Sequence, residues 1–124
     1  MLKGIPLRGV RFEAEQFTPV QKPYHGQPPE LAGESLKGVR LLVTDRDAFE
    51  PYKTGVAMLW AVHALHRDRL VWNDAALDRL TATPRLKEML QSGKTPAEIF
   101  AAWEGEVDSF RRTSAKYFLY PLPR

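Results

Sequence analysis

Two hydrophobic periods divide the chain, and their order constrains the fold more than any other feature. Near the N-terminus apolar and charged residues alternate along Val10–Glu15, which is typical of a strand with one buried face. From Pro51 onward apolar residues recur at every third or fourth position, which is typical of amphipathic helices. This order predicts an α+β domain, a two-layer α/β arrangement with a small sheet of about two to four strands packed by about four helices. A chain of 124 residues suits one such domain, residues 1–124.

Two strands and a long connection are predicted in the first part of the chain. Phe17 falls on the opposite phase from the preceding alternation, so we expect a bulge or bend near Glu15–Gln16. The segment Val39–Thr44 is apolar and β-branched, and it is expected to be a central strand. Between them, Pro19–Gly38 contains four prolines and three glycines. This composition predicts an irregular loop, and loops of such length are often functional.

Start signals predict the helices of the second part. They are Pro51, Asn73, Thr83-Pro84 and Thr95-Pro96. The last is the strongest, because Thr95 and Glu98 form a capping box with a proline at the first helical position.

Two apolar stripes on these helices are expected to face the core. The first contains Val56, Leu59, Trp60 and His63, and the second Ile99, Trp103, Val107 and Phe110.

Composition excludes several classes of function. The 18 basic residues are spread along the chain against 15 acidic ones, so a net charge of +3 predicts no nucleic-acid interface. The chain has no cysteine, and His63 and His66 lack a convincing third metal ligand, so no metal and no cofactor are predicted. No apolar run is long enough for a membrane span or for a signal peptide.

Two segments carry candidate chemistry, each with two interpretations. Asp45 and Asp47 follow the second strand, where their carboxylates either face one ligand or cap the turn by accepting backbone N–H bonds. Phe17-Thr18 and Tyr24-His25 place aromatics, a hydroxyl and an imidazole in irregular backbone. Such a set either binds a sugar or anchors the loop to the core.

A series of short motifs resembles the C-terminal domain of the NamZ-type exo-β-N-acetylmuramidases. The motifs cover nearly the whole chain in order. They are Gly9-Val10-Arg11-Phe12, Phe17-Thr18-Pro19, Tyr24-His25-Gly26, Gly38-Val39, Val43-Thr44-Asp45-Arg46, Phe49-Glu50-Pro51, Gly55, Phe110-Arg111 and Tyr117-Phe118-Leu119-Tyr120.

The resemblance implies a role in peptidoglycan hydrolysis. Enzymes of this family remove N-acetylmuramic acid from the non-reducing ends of peptidoglycan fragments, and many are secreted or periplasmic. Their cleft lies between a Rossmann-like N-terminal domain, which holds the proposed catalytic glutamate, and a smaller C-terminal domain. By motif position, the residues implied to line the cleft are Phe17, Thr18, His25, Thr44, Asp45 and Arg46.

The resemblance leaves the activity of this chain open. The matched motifs include no part of the N-terminal domain, so we expect no catalytic residue here and no hydrolysis by the chain alone. The expected partners are an N-terminal catalytic domain encoded separately and a muropeptide or other glycan containing N-acetylmuramic acid. The alternative is a stand-alone module that binds muropeptide or carbohydrate, or that mediates an interaction, without catalysis.

Overall fold

The computed structural model describes residues 1–20 and 30–120, in which two strands precede four helices. The strands are β1 (Val10–Phe17) and β2 (Leu36–Val43), and the helices are α1 (Pro51–Leu65), α2 (Asp74–Thr81), α3 (Arg85–Gln91) and α4 (Pro96–Ser114). The predicted α+β class is therefore confirmed. By its internal contacts the chain divides into a strand unit, Met1–Pro51, and a helical unit, Tyr52–Arg124.

The strands form an antiparallel ribbon with unbroken register. Pairing runs from Val10 opposite Val43 to Phe17 opposite Leu36. The predicted bulge near Glu15–Gln16 is therefore wrong. Phe17 keeps its place in the ladder and projects from the face opposite to Phe12, because successive side chains alternate between faces.

The expectation of a central strand is also wrong for the part of the chain that the structure describes. There the sheet consists of β1 and β2 alone. The apolar, β-branched composition of β2 was the reason for the expectation. In the structure Val39 and Val43 are 52% and 43% exposed, so this composition does not reflect burial on both faces.

Gly9, which precedes β1, is hydrogen-bonded to the segment that follows β2. Its backbone has φ +68°, which is the left-handed region, and its carbonyl accepts the N–H bond of Thr44 at 2.9 Å. A Cβ atom at this position would lie 2.3 Å from the carbonyl oxygen of Asp45 and 2.7 Å from the amide nitrogen of Phe49. Only glycine therefore fits both the conformation and the space.

The helical unit has its own hydrophobic core. Val56 of α1 packs with Leu86, Met89 and Leu90 of α3 and with Ile99 of α4. Leu59, Trp60, Trp72, Phe100 and Trp103 cover this cluster from its edges. The first predicted stripe is thus confirmed as core or core edge, and His63 is buried on the same helix.

The second stripe is confirmed only in its first half. Ile99 is fully buried and Trp103 half-buried, but Val107 and Phe110 are 43% and 71% exposed, so their placement in the core was wrong. The reason is length, because at about 1.5 Å per residue α4 extends roughly 28 Å and α3 only about 10 Å. The C-terminal half of α4 continues past the helix that covers its beginning.

Local capping signals agree closely with the helix boundaries. The Asn73 side chain accepts the N–H bond of Ala76 at 3.1 Å, as an N-cap residue does. Before α4 the Thr95 hydroxyl accepts from the N–H of Glu98, and a Glu98 carboxylate oxygen accepts from the N–H of Thr95. The capping box is therefore present as predicted.

The helices found within residues 1–20 and 30–120 include none with the length and apolar character that a membrane crossing requires.

Substitution Gly9→Ala is expected to destabilise the strand unit. A non-glycine residue in the left-handed region costs of order 1–3 kcal/mol, and the short approach to Asp45 and Phe49 adds a steric penalty. Gly4→Ala is the matched control, since its Cβ would meet nothing within 4 Å. Urea unfolding of both variants should show a lower midpoint for Gly9→Ala alone, and equal midpoints would contradict the geometry.

The capping box predicts acid-sensitive stability. Hydrogen bonds from the backbone and side chain of Thr95 lower the pKa of Glu98 below its ordinary 4.5. Because the folded-state pKa is the lower one, the stabilisation is complete above the unfolded pKa and is lost as pH falls through the folded pKa.

Glu98→Gln should therefore weaken the pH dependence of the thermal midpoint below about pH 4.5. Glu104→Gln, on the same helix outside the cap, is the control. If Glu98→Gln and wild type show parallel midpoints down to acid pH, the capping carboxylate does not contribute as described.

Candidate functional site

The residues implied to contact a sugar lie at two ends of the β1–β2 ribbon. Thr44, Asp45 and Arg46 follow β2 at the end where Val43 pairs with Val10, here called the Gly9 end. Phe17 and Thr18 lie at the other end, the Phe17 end. Their separation follows from the strand length, since eight residues at about 3.4 Å per step place the two ends roughly 24 Å apart.

The structure therefore does not bring the implied residues into one pocket. Thr44, Asp45 and Arg46 form one group, and Phe17 and Thr18 form another. His25 lies outside the described residues. A single sugar ring spans much less than the length of the ribbon, so the two groups would contact different parts of a ligand or of a partner.

At the Gly9 end the carboxylate of Asp45 organises a turn. Its Oδ1 atom accepts the backbone N–H bonds of Asp47 at 3.0 Å and of Ala48 at 3.1 Å. For Asp45 this is the capping interpretation. No hydrogen bond to Oδ2 is found in residues 1–20 and 30–120, so that oxygen is open to a donor from solvent or ligand.

The side chains that flank Asp45 are also exposed. Thr44 and Arg46 both lie at the surface. Within the described ranges Arg46 makes no ion pair, although carboxylates are close by in sequence. The Gly9 end thus presents a hydroxyl, a carboxylate oxygen and a guanidinium to solvent on a turn that is fixed by backbone hydrogen bonds.

At the Phe17 end an aromatic ring lies on the sheet surface. A Cβ atom on Gly38 would lie 2.8 Å from Cε1 of Phe17, so the ring occupies the space that glycine leaves open. The ring is still 46% exposed, and Thr18 beside it is exposed. An exposed ring held against backbone is a surface on which a sugar or an apolar group can stack.

Between the two ends, the ribbon face that carries Phe17 also carries ion pairs. Arg40 donates to both carboxylate oxygens of Glu15, with 2.9 Å from Nε to Oε2, and Arg11 pairs with Glu13 at 2.8 Å. The Arg40 hydrogen bonds lower the pKa of Glu15. A carboxylate held ionised in this way is unsuited to act as a general acid.

Neither Glu15 nor Glu98 is in the state that a glycosidase requires of its general acid. Such enzymes place two carboxyl groups about 5–9.5 Å apart and raise the pKa of one. Glu15 and Glu98 both have lowered pKa values, and each is engaged in a structural interaction. Asp45 uses one oxygen for its turn.

The described part of the chain contains no candidate metal site. No group of three or more His, Cys, Asp or Glu side chains converges there. His63 is buried and His66 exposed, so the two histidines do not form a joint ligand pair at the surface. The burial of His63 agrees with its predicted place in the stripe that faces the core.

Two surface features were not predicted from the sequence. One is a groove beside Trp60, His63 and Arg67, whose members lie at positions three and four apart along α1 and the turn after it. The other is the exposed apolar end of α4, where Phe110 and Tyr117 are 71% and 77% exposed. The helical spacing was visible in both cases, but it does not distinguish a buried stripe from an uncovered one.

The relationship of the chain to known proteins agrees with its motifs. Residues 1–120 match the family described as exo-beta-N-acetylmuramidase NamZ, C-terminal. The peptidoglycan beta-N-acetylmuramidase NamZ of Bacillus subtilis (strain 168) is 29% identical over 120 residues, which are 96% of this chain and 27% of that protein. The chain thus spans about a quarter of the length of this curated relative, and no solved structure matches it. The chain belongs to the family of NamZ C-terminal domains, as the series of motifs from Gly9 to Tyr120 predicted.

Proposed function

We propose that this chain forms one wall of the sugar-binding cleft of a peptidoglycan exo-β-N-acetylmuramidase, and that it hydrolyses nothing without a catalytic partner domain. The observation that carries the proposal is the family match over residues 1–120, combined with the small share, 27%, that this segment represents in the Bacillus subtilis relative. Most of that muramidase lies outside the matched part, and we assign the catalytic carboxylate to it.

The state of the carboxylates in this chain supports the second half of the proposal. Hydrolysis of a glycosidic bond needs one carboxyl group that is protonated near neutral pH. Arg40 holds Glu15 as a carboxylate, and the capping box does the same for Glu98. The backbone N–H of Asp47 donates a hydrogen bond to the side chain of Asp45, so both residues lie within a single turn.

The Gly9 end is the proposed sugar contact. Its turn is fixed by Gly9 and by the Oδ1 atom of Asp45, which leaves Oδ2, the Thr44 hydroxyl and the Arg46 guanidinium for sugar hydroxyl and carbonyl groups. A rigid support of this kind orients a bound substrate, and orientation alone contributes substantially to catalysis. The wall would thus position the sugar while the partner domain supplies acid–base chemistry.

The Phe17 end is proposed to act as a second, separate contact. Its exposed ring and the neighbouring Thr18 lie too far from Arg46 to contact the same sugar ring. We therefore propose that Phe17 and Thr18 contact a more distant part of the muropeptide or the facing domain, and that His25 contacts the ligand on the ground of its motif alone.

The exposed end of α4 is the surface we assign to the partner domain. Val107, Phe110 and Phe118 are each at least 43% exposed, and Tyr117 and Tyr120 are largely exposed. Apolar groups in this number are unusual on the surface of an isolated domain and mark interaction sites. Arg111 and Arg112 lie in the last turn of α4, and Arg111 already pairs with Asp108 at 3.3 Å, so Arg112 is the cation that we expect to meet an acidic group on a mainly apolar facing surface.

The activity prediction is tested by domain exchange. The matching segment of the Bacillus subtilis muramidase is replaced with this chain, and hydrolysis of a chromogenic N-acetylmuramic acid glycoside is measured. We expect turnover by the exchanged enzyme, none by this chain alone, and none by the relative with the segment deleted.

Two outcomes would contradict the proposal in different ways. Hydrolysis by this chain alone would show that it holds its own catalytic groups. A folded but inactive exchanged enzyme would argue against the role as cleft wall, and it would favour a stand-alone module if this chain still bound muropeptide.

The sugar contact is tested with paired substitutions in the exchanged enzyme. Asp45→Asn keeps an oxygen for the turn but removes the charge, whereas Asp45→Ala removes both. Loss of a hydrogen bond to a charged group costs about 1.5–3 kcal/mol, so Arg46→Ala and Asp45→Asn should each lower kcat/KM by roughly 10- to 150-fold. Thermal unfolding should show destabilisation for Asp45→Ala alone.

The remote substitution Phe17→Ala is the matched comparison for the other end of the ribbon. Because the two ends are separate, it should leave hydrolysis of the small chromogenic glycoside nearly unchanged and weaken hydrolysis of an intact muropeptide. Equal losses on both substrates would argue against two separate contacts.

A further inference from the structure

A groove in the helical unit carries polar groups to which the proposed cleft assigns no role. Its volume is 260 Å³, and the residues that line it are Trp60, His63, Ala64, Arg67, Leu90 and Gly93. The first four come from α1 and the turn that follows it, and the last two from α3 and its end. None of them belongs to the sugar contacts at the ends of the ribbon.

The imidazole of His63 is largely buried and lies along the groove. The residue is only 7% exposed, and its ring lies against Trp72 with centroids 5.6 Å apart. No hydrogen bond to the imidazole is found within residues 1–20 and 30–120. No buried side-chain nitrogen or oxygen in those ranges lacks a partner, so the ring nitrogens are not fully enclosed, and the residue is part of the groove lining.

Arg67 contributes a cation with unused donors. One terminal nitrogen of its guanidinium donates to the carbonyl oxygen of Gln91 at 3.3 Å, which holds the side chain against the end of α3. A guanidinium has about five N–H donors, so most of them remain available. Within the described ranges Arg67 has no carboxylate partner.

The lining selects the charge and size of a ligand. It contains a guanidinium and an imidazole but no carboxylate, so an anion meets attraction without repulsion. Trp60 and Leu90 add apolar surface beside these donors. Drug-sized ligands occupy pockets of about 300–1,000 Å³, so a space of 260 Å³ suits a smaller molecule.

We propose that this groove binds a small carboxylate, held between Arg67 and His63, with its carbon skeleton on Trp60 and Leu90. Guanidinium and imidazole donors form charge-assisted hydrogen bonds with carboxylates, and these are stronger than bonds between neutral groups. The carboxylate comes from a sugar acid or from the C-terminus of a short peptide. The site is inferred from the groove itself, and only the choice of probes rests on the proposed function.

The probes are chosen to separate the two sources. N-acetylmuramic acid carries a lactyl carboxylate, and N-acetyl-D-alanyl-D-alanine carries a peptide carboxylate. N-acetylglucosamine is the neutral control, since it lacks the lactyl group but keeps the sugar ring. The full chain, labelled with ¹⁵N, is titrated with each probe while the Gly93 amide and the Trp60 indole N–H signals are followed.

We expect at least one carboxylate probe to shift both groove signals in a saturable manner, and N-acetylglucosamine to leave them in place. Arg67→Gln should raise the Kd roughly tenfold or more, which corresponds to the loss of a charge-assisted hydrogen bond. Arg69→Gln, which removes an exposed cation two residues away outside the groove, should change the Kd less than Arg67→Gln does. His63→Gln tests the second donor, and thermal unfolding checks that each variant is folded.

Three results would overturn the proposal. The carboxylate probes could fail to shift the groove signals, N-acetylglucosamine could shift them equally, or Arg67→Gln could bind as wild type does. In the first of these cases, shifts confined to Thr44, Asp45 and Arg46 would still agree with the proposed cleft wall, so failure of one proposal is distinguishable from failure of the other.

Discussion

The antiparallel register between β1 and β2 determines which side chains of this domain can act together. It pairs Val10 with Val43 and Phe17 with Leu36, and it has no bulge to shorten or bend the ribbon. Thr44–Arg46 and Phe17–Thr18 belong to the same series of family motifs but lie at opposite ends of the ladder. Gly9 fixes one end, because its left-handed backbone permits the approach of Asp45 and Phe49.

The features that sequence predicted well depend on short-range interactions. The capping box of Thr95 and Glu98 and the N-cap at Asn73 involve residues at most three apart, so their chemistry is visible in the sequence itself. The strand alternation and the first helical stripe were identified for the same reason. The α+β class followed from the order of these local patterns.

The features that were not predicted from the sequence depend on which other parts of the fold pack against a residue. Phe17 looked like a break in the alternation, but the absence of a side chain on Gly38, a diagonal neighbour across the ladder, leaves space that its ring occupies on the other face. Phe110 continues a stripe that begins at Ile99, yet the shorter α3 leaves it uncovered. Likewise the groove at Trp60, His63 and Arg67 exists because the end of α3 lies beside the end of α1, which no local pattern encodes.

Several acidic groups of this domain stabilise the fold. Glu15 is bound by Arg40, Glu98 caps α4, and one oxygen of Asp45 holds a turn. These roles suit a domain that supplies a shaped surface to a larger enzyme.

The most direct test of this account is a titration in which the N-terminal part of the Bacillus subtilis muramidase, at fixed concentration, receives increasing amounts of this chain. Release of N-acetylmuramic acid from a muropeptide is followed by proton NMR. The account predicts no release by either component alone and a rate that rises to saturation with added chain. Release by this chain alone, or a rate that does not depend on its concentration, would contradict it.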